Sequence, residues 1–294
     1  MIKRDNNLLN ITWLCRIAGV SRSGYYNWLN KIDLRNTREI QDQENFELIL
    51  AAYKFRGYNK GSRGIHMRLL NQGIRMNRKK IQRLMKKYGL ICPIRKANPY
   101  RRMAKAMKTN NVSKNLVNRE FREHGPFKIL LTDITYIYYK NHRKAYLSVI
   151  KDAYTKQVLA YVVSESLEVD FVLKTIKNLI DDHGISLSNE TIIHSDQGSH
   201  YTSHSFRDLL KSKELRQSMS RRGNCWDNAP QESFFGHMKD EIHLKDCNNF
   251  AEVLDEVDNY MNYYNNDRYQ WGLAKLSPNQ YAEYLKTEDY PIKI

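Results

Sequence analysis

Three acidic residues, far apart in the chain, are the positions best suited to chemistry. Asp133 lies in the apolar run LLTDITYIYY, Asp196 ends the run TIIHSD, and Glu232 stands in NAPQESFFGHMKDE. Carboxylate oxygens are the hard ligands that Mg²⁺ and Mn²⁺ prefer, and a pair of such ions can stabilise both oxygens of an in-line phosphoryl displacement. The three residues therefore predict a divalent-metal site for phosphoryl transfer on nucleic acid.

A simpler interpretation is that these acids are solvated surface charges, as most Asp and Glu residues are. Asp133 sits inside an apolar run and Asp196 at the end of one. A carboxylate in such a place is costly unless it is paired or bound to a metal. The surroundings of the two aspartates therefore favour a functional site.

The surrounding patterns predict which elements position the three acids. Residues 128–139 are rich in β-branched and aromatic residues, which is typical of a strand, and the run 191–194 leads directly into Asp196. Glu232 follows Pro230, a residue favoured at the first position of a helix. Two strands and the first turn of a helix are thus expected to hold the site.

The rest of this half of the chain alternates strand and helix signals. Further strands are predicted around 144–150 and 157–163, and helices at about 168–182 and 204–212. Three strands, a helix and a fourth strand fit an α/β fold with a mixed sheet flanked by helices.

Charge divides the chain into a basic front and a near-neutral back. The formal net charge is +16, and residues 1–110 hold 25 Lys or Arg against 6 Asp or Glu. Such asymmetry indicates a nucleic-acid-binding segment before a separate globular domain. A basic front could instead bind an acidic membrane, but no stretch approaches the ~18 apolar residues that span a bilayer. We therefore expect a cytoplasmic protein whose basic front binds nucleic acid.

Two helix-turn-helix candidates lie in the basic front. Residues 8–30 predict two short helices around Gly19, and a helical stretch follows at about 44–54. In the second candidate Asn77 is expected to cap a helix that ends near Gly89. The polar side of that helix is basic, and we expect it to contact DNA together with other cations: Arg63, Arg78, Lys79, Lys80, Arg83, Lys86, Lys87, Arg221, Arg222 and Lys239. The alternative is a solvated basic face, or one that contacts another protein.

These patterns divide the chain into five parts. The front consists of an N-terminal helix-turn-helix-like segment at 1–48 and a second helix-turn-helix module at 49–92. A basic linker at 93–122 leads to the catalytic domain with its C-terminal helix at 123–285, and a short tail follows at 286–294. The four cysteines are far apart and form no CxxC pair, so we expect free thiols and no structural zinc.

Several ordered motifs together resemble a known family. They are TDITY around Asp133, HSDQGSHYTS around Asp196, SRRGNCWDNAPQESFFGHMKDE around Glu232, YNNDRYQWGLAKLSPNQY at 264–281, and YNKGSRGIHMRLLNQGIRMNRKKIQRLMKKYGL in the basic front. The chain is similar to the OrfB-type, DDE transposases of bacterial insertion sequences, whose catalytic domain is related to retroviral integrases. The resemblance covers roughly residues 50–285 and, with this many motifs in order, is far more specific than three acids alone.

The resemblance implies an RNase H-like catalytic domain that holds two Mg²⁺ ions, for which Mn²⁺ can substitute, on Asp133, Asp196 and Glu232. It implies that the nucleic acid is double-stranded DNA at the bacterial nucleoid, both the element's inverted-repeat ends and the target. It also implies strand cleavage and strand transfer, and a homo-oligomer on DNA. Lys239, which shares a helical face with Glu232, would hold a DNA phosphate. The family also implies an upstream OrfA-type partner or a frameshift fusion to it.

Two other functions stay open at the level of sequence. One is a catalytically inactive DNA-binding regulator of transposition, and the other is a structure-selective RNase H-like nuclease. The intact acidic triad favours the enzyme over the regulator, and the helix-turn-helix candidates argue against the simple nuclease. Among lesser positions, we expect Gly198 to permit a tight turn and Asp227 to shape the loop before Glu232. The aromatic residues of 260–271 are expected to pack a terminal helix, with base stacking as the minor alternative.

Overall fold

A computed structural model describes most of the chain. The described residues are 10–58, 60–93, 113–121, 123–140, 142–221 and 225–292. Of the predicted DNA-binding residues, Arg222 lies outside them, as does most of the predicted linker.

Five helices form the N-terminal region: α1 (Ile11–Ile17), α2 (Arg22–Asn30), α3 (Ile32–Lys54), α4 (Ser62–Asn71) and α5 (Arg78–Lys87). The predicted cap of α5 is present, because the Asn77 side chain accepts a hydrogen bond from the Lys79 N–H at 2.8 Å. Helix α2 begins in the same way at Ser21, whose Oγ accepts from the Gly24 N–H at 3.0 Å. Both helix pairs expected from the sequence are therefore formed.

Helix α3 is much longer than predicted. We expected helix only from about residue 44, whereas α3 starts at Ile32, so it crosses the predicted boundary between residues 48 and 49 without a break. Its first half is almost entirely exposed and carries no apolar stripe that could reveal a helical period. Its second half packs on α4 and α5 through a small core, which is formed by Ile49, Ala52, Ile65, Leu69, Ile81 and Leu84.

A five-stranded mixed sheet forms the second region. Its strands are β1 (Ile129–Tyr139), β2 (Arg143–Asp152), β3 (Val158–Ser164), β4 (Ile192–Ser195) and β5 (Arg216–Met219). They lie in the order β3-β2-β1-β4-β5, in which the first three are antiparallel neighbours and β4 and β5 run parallel to β1. This confirms the predicted mixed, RNase H-like sheet. Strand β5 was not predicted, because Arg-Gln-Ser-Met shows no alternation of apolar and polar residues.

Helices cover both faces of the sheet. The remaining helices are α6 (Val169–His183), α7 (Ser199–Thr202), α8 (His204–Ser212), α9 (Ala229–Glu241), α10 (Phe250–Asn266) and α11 (Pro278–Thr287). One face packs Leu130 and Ile150 against α6 and α8, and the other packs Ile137 and Val149 against α9 and α10. Because side chains alternate along a strand, Asp133 shares the face of Ile137, which is the face that α9 covers.

Three cysteines, Cys15, Cys92 and Cys247, are free thiols, as expected. Within the described ranges no helix is both long enough and apolar enough to cross a membrane.

Candidate active site

Asp133 lies in the middle of the central strand β1, where it pairs with Val149 of β2. It is half-buried, and its Oδ1 accepts a hydrogen bond from the Ile134 N–H at 2.8 Å. Burial raises the pKa of Asp133 to about 8, and the negative charges of Asp196 and Glu232 add to the increase. The charges of the other two acids thus both reach Asp133.

Asp196 follows directly after β4, the strand that lies parallel to β1. Leu131 is paired with His194, so two residues further along both strands Asp133 and Asp196 come side by side. The Asp196 Oδ1 accepts a hydrogen bond from the Gly198 N–H at 2.9 Å. Burial raises the pKa of Asp196 as well.

Gly198 is required for a different reason from the one predicted. We expected Gly198 to permit a tight turn after Asp196, but its φ of −61° is one that any residue can take, so the backbone conformation does not explain the glycine. A Cβ at this position would lie 2.9 Å from the Asp196 Oδ1, closer than real Cβ contacts. Glycine therefore leaves room for the carboxylate.

His194 of β4 is fully buried, and its ring connects this strand to the loop before α9 through hydrogen bonds. Its Nε2 lies 2.9 Å from the Asp227 carbonyl oxygen and its Nδ1 lies 2.9 Å from the Ser218 Oγ. A carbonyl only accepts, so Nε2 carries the proton and Nδ1 accepts from the serine hydroxyl. Burial lowers the pKa of His194, which keeps the ring neutral.

The Asp227 side chain joins three segments that surround the acids. It is fully buried and accepts 2.9 Å hydrogen bonds from the Nε and Nη2 of Arg221 and from the Nε of Arg119. The Asn115 Nδ2 donates to it as well, at 3.0 Å. These donors hold the pKa of Asp227 well below its usual range. Its predicted role in shaping the loop before Glu232 is confirmed, and Arg119 is a partner that the sequence did not reveal.

Glu232 is exposed in the first turn of α9, as predicted. Phe234 and Phe235 anchor the helix in the core beneath the sheet. The start of the helix is held by Lys151 of β2, whose Nζ donates to the Pro230 carbonyl oxygen at 2.7 Å. The exposed Lys239, two turns further on, counteracts the increase in the Asp133 pKa, so its charge also acts on the site.

The donor chemistry of the three acids fits a hard divalent cation, since all their ligand atoms are carboxylate oxygens. A cation would also offset the repulsion that raises the Asp133 pKa. In the arrangement described here, however, no group of three acidic, histidine or cysteine side chains could hold a metal ion among the residues that the structure covers. The acids are thus coupled by charge but do not form a closed ligand set.

Several predicted DNA-binding residues form ion pairs within the protein. Arg83 of α5 binds both Asp42 carboxylate oxygens at 2.7 and 2.8 Å, and Lys87 contacts Asp42 at 2.9 Å and Glu39 at 2.6 Å. Both acids lie on α3. The other predicted cations on α5 are half-buried or exposed, and they form no such pair with any residue that the structure describes: Arg78, Lys79, Lys80 and Lys86. Arg63, at the start of α4, is exposed.

The C-terminal motif joins the two regions of the chain, a role that the sequence did not reveal. Asp267 forms ion pairs with Arg56 at 2.9 Å and with Arg68 at 3.6 Å. Arg268 binds Glu241 at the end of α9, with a shortest distance of 2.7 Å. Most of the aromatic residues of 260–271 pack as predicted, since Tyr260, Tyr263 and Tyr264 are at most 3% exposed. Trp271 is the exception at 52%.

Comparison with known protein families gives three matches. Two models described as an integrase core domain match residues 123–225 and 232–284, and a model described as an HTH-like domain matches residues 40–98. The first two contain the three acids, and the third contains α4 and α5.

Among curated relatives, an uncharacterised 31 kDa protein of insertion element IS600 from Shigella sonnei is 30% identical over 273 residues, which is 92% of this chain and 97% of the relative. The putative transposase InsK of IS150 from Escherichia coli K12 is 34% identical, with 75% and 76% of the two chains covered. The transposase InsF of IS3A from the same organism is 28% identical, with 95% and 96% covered.

Solved structures with a related fold include an intasome of simian T-cell lymphotropic virus bound to a regulatory subunit of PP2A. It is 15% identical at a TM-score of 0.44, with 75% of this chain and 73% of that chain covered. The HTLV-2 integrase catalytic core in complex with magnesium is 16% identical at 0.38, with 54% and 97% covered. At these scores we base no argument on them.

Proposed function

This chain belongs to the insertion-sequence transposases that carry an integrase core domain, and from that premise we propose that it cleaves and joins DNA strands at the ends of its own element. The observation that supports this most directly is the coupling of the three acids. Asp133 has its pKa raised by burial and by the charges of Asp196 and Glu232, an arrangement that is costly unless a cation enters.

Asp133, Asp196 and Glu232 would hold two Mg²⁺ ions, for which Mn²⁺ can substitute. Bound there, the ions would stabilise the charge that develops on the phosphate oxygens and lower the pKa of a bound water. This chemistry needs no nucleophile from the protein.

The reaction would consist of two displacements at phosphorus. In the first, a water oxygen bonds to phosphorus and the P–O3′ bond breaks, which leaves a 3′-hydroxyl on one side of the break in that strand and a 5′-phosphate on the other side. In the second, that 3′-hydroxyl oxygen bonds to a phosphorus of the target strand and a target 3′-hydroxyl leaves. In both, Lys239 would bind a DNA phosphate near the acids.

The remaining predicted contacts would position the DNA. We propose that the exposed cations of α5 contact phosphates of the inverted-repeat ends, and that two or more copies of the chain assemble on the paired ends. An OrfA-type partner or fusion would supply further end recognition. A protein that acts on chromosomal DNA in this way works at the bacterial nucleoid in the cytoplasm.

The test is to place the element's own ends on a plasmid and to detect end-joined junctions by PCR. The chain would be expressed with and without the upstream frame, as wild type and as Glu232→Gln. We expect junctions only with the wild-type triad, while Glu232→Gln retains binding of the ends. Loss of binding and chemistry together in that variant would contradict the assignment.

A second function has one observation in its favour. The acids do not form a closed three-ligand group in the described residues, which would suit a catalytically inactive regulator that binds the ends. The absence of junctions under every condition, with end binding retained, would support the regulator.

A further inference from the structure

A cleft of about 490 Å³ separates the start of α4 from α9 and the loop after α10. Its walls come from both regions of the chain, the helix-turn-helix module and the catalytic domain. None of the three acids lines it, although Ser233, the neighbour of Glu232, does. Its volume is in the range of pockets that bind small ligands or single groups of larger ones.

The cleft is strongly basic. Only two acidic residues line it, Glu241 and Asp267, and both are neutralised by arginines, Arg268 at 2.7 Å and Arg56 at 2.9 Å. Against these two acids stand six basic residues: Lys60, Arg63, Arg68, Lys151, Lys156 and Arg268. The surplus of four positive charges favours an anionic ligand.

Lys151 is a buried cation on the wall of the cleft. It is 2% exposed, and in the described part of the chain it forms no ion pair with a carboxylate. Among the described residues its Nζ donates one hydrogen bond, to the Pro230 carbonyl oxygen, and lies 5.0 Å from the centroid of the Phe234 ring, so the ammonium has further N–H groups for another acceptor. Burial lowers the pKa of Lys151 to about 7, with further lowering from Lys156 and Arg268. An anion in the cleft would relieve this cost.

Trp271 supplies an aromatic surface beside these cations. It lines the cleft and is 52% exposed, on a loop closed by backbone hydrogen bonds from Gln270 to Leu276 at 2.9 Å and from Lys275 to Gln270 at 3.1 Å. The Lys275 carbonyl accepts a hydrogen bond from the Asn71 side chain of α4 at 3.2 Å, which fixes the loop to the other wall. The loop that carries the indole is therefore held in place. The Lys275 ammonium lies 5.5 Å from the ring centroid and the His66 ring lies 6.3 Å away, and about half of the side chain remains exposed to solvent.

We propose that this cleft binds a segment of single-stranded DNA, with a backbone phosphate at Lys151, Lys156 and Arg63 and a base stacked on Trp271. Basic grooves with aromatic platforms bind single strands because every base offers a π-face, whereas paired bases are stacked inside a duplex. The inference rests on the proposed function in that the ligand is DNA. The site itself is separate from the three acids.

The first test uses the fluorescence of Trp271. The chain also contains Trp13, Trp28 and Trp226, so the signal is assigned by comparing wild type with Trp271→Phe. We expect a single-stranded oligothymidylate to quench the wild type more than a duplex of the same length does, and this difference to disappear in Trp271→Phe. Equal quenching in both proteins would overturn the proposal.

The second test measures the affinity for the same oligothymidylate by fluorescence anisotropy over a range of salt concentrations. Trp271→Ala should weaken binding roughly tenfold, whereas the matched control Tyr138→Ala, at an exposed aromatic residue outside the cleft, should not. Arg63→Ala should reduce the salt slope by about one, whereas Lys174→Ala, on the exposed face of α6, should leave it unchanged. Unchanged affinity in both cleft variants, or equally tight binding of poly-glutamate, would contradict the inference.

These outcomes separate the cleft from the proposed chemistry. Binding that depends on Trp271 in a protein that yields no junctions would support the cleft and argue against the enzyme. Conversely, the Trp271→Ala variant could form junctions and bind single strands as tightly as the wild type. That result would support the enzyme and argue against the cleft. Arg63 and Trp271 are both exposed, so their substitutions should preserve the fold, and the thermal unfolding midpoint checks this.

Discussion

At the level of single residues, the free-energy cost of placing the acids near one another falls mainly on Asp133. Its half-buried carboxylate on the central strand is repelled by Asp196 and Glu232, and only Lys239 and one backbone N–H oppose this. A site that brings three acids near one another is expected to trade stability for function.

We therefore expect Asp133→Asn to stabilise the metal-free protein. At neutral pH the raised pKa makes the folded chain hold a proton on Asp133 that the unfolded chain does not, and this uptake costs stability. The amide is neutral in both states and has nearly the same volume, so the thermal unfolding midpoint at neutral pH without divalent ions should rise. Addition of Mg²⁺ should raise the midpoint of the wild type but not of the variant. The exposed Asp208→Asn, on α8, is the control, and an equal response to Mg²⁺ in all three proteins would count against the metal site.

A second residue-level prediction concerns Gly198→Ala. The new Cβ would lie 2.9 Å from the Asp196 Oδ1, and the carboxylate can avoid it by rotating away and giving up the hydrogen bond from the residue 198 N–H. We expect a loss of junction formation with a change of less than about 1 kcal/mol in unfolding free energy. Gly184→Ala is the matched control, since its Cβ would meet Ile180 at an ordinary 3.7 Å. A variant at residue 198 with full activity would show that Asp196 need not keep its position.

At the level of elements, the pairing of α3 with α5 is the feature that the sequence did not anticipate. Asp42 occupies Arg83 and Lys87, two cations of the helix predicted to bind DNA. Arg83 is 54% exposed, although Asp42 is only 14% exposed. Solvent therefore still screens these pairs, and each adds about 0 to 1 kcal/mol to stability. Their larger effect is to reduce the positive charge that α5 offers to a phosphate backbone.

Asp42→Ala should accordingly strengthen DNA binding. Removing the shared carboxylate frees Arg83, whereas Lys87 keeps its pair with Glu39. The slope of log affinity against log salt should therefore steepen by about one, for one new phosphate contact. Asp33→Ala removes an exposed acid from the same helix at a position without an ion pair, and it should leave the slope unchanged. Weaker binding by Asp42→Ala would mean that the pair orients α5 for DNA.

At the level of the whole molecule, the two regions are joined by contacts between residues distant in sequence. Asp267 reaches Arg56 and Arg68, and Asn71 reaches Lys275. The cleft lies at this junction, with the buried Lys151 on its catalytic side. Burial of that ammonium should make the stability of the whole chain depend on pH.

The sign follows from the lowered pKa of Lys151. Below about pH 7 the folded and unfolded chains both carry the proton, and the cost of burying the charge is complete. Between about 7 and the ordinary value of 10.5 the unfolded chain holds the proton while the folded chain releases it, so stability rises with pH. The contribution of this group is at most about 1.4 kcal/mol per pH unit.

Denaturant unfolding at a series of pH values checks this expectation. Lys151→Met should show a smaller rise in stability across that pH window. Burial also lowers the pKa of Lys60, to about 8, so Lys60 should supply the rise that remains. The exposed Lys174→Met should behave as the wild type. Lys156, Arg268, His237 and Glu241 also face this part of the cleft and are unchanged in both variants. A rise of the same size in Lys151→Met would mean that Lys151 does not carry the effect.

Much of the catalytic domain could be predicted from the sequence because its signals are local. The apolar runs that carry Asp133 and Asp196 specify strands, and Pro230 marks the start of the helix that bears Glu232. Strand β5 and the first half of α3 were missed for the opposite reason. Strand β5 is a strand because it pairs with β4, which its own residues do not indicate. The first half of α3 is exposed and has no apolar stripe that would show a helical period.

The sequence by itself determined the three acids, the elements that hold them and the basic front, since residue type and periodicity act over short distances. Only the tertiary structure decided which charges meet. Asp42 lies 41 residues from Arg83, and Lys151 lies 79 from Pro230, so no local pattern could reveal either contact. The cleft likewise exists only because chain folding brings α4, α9 and Trp271 together, and packing over such separations depends on the whole fold.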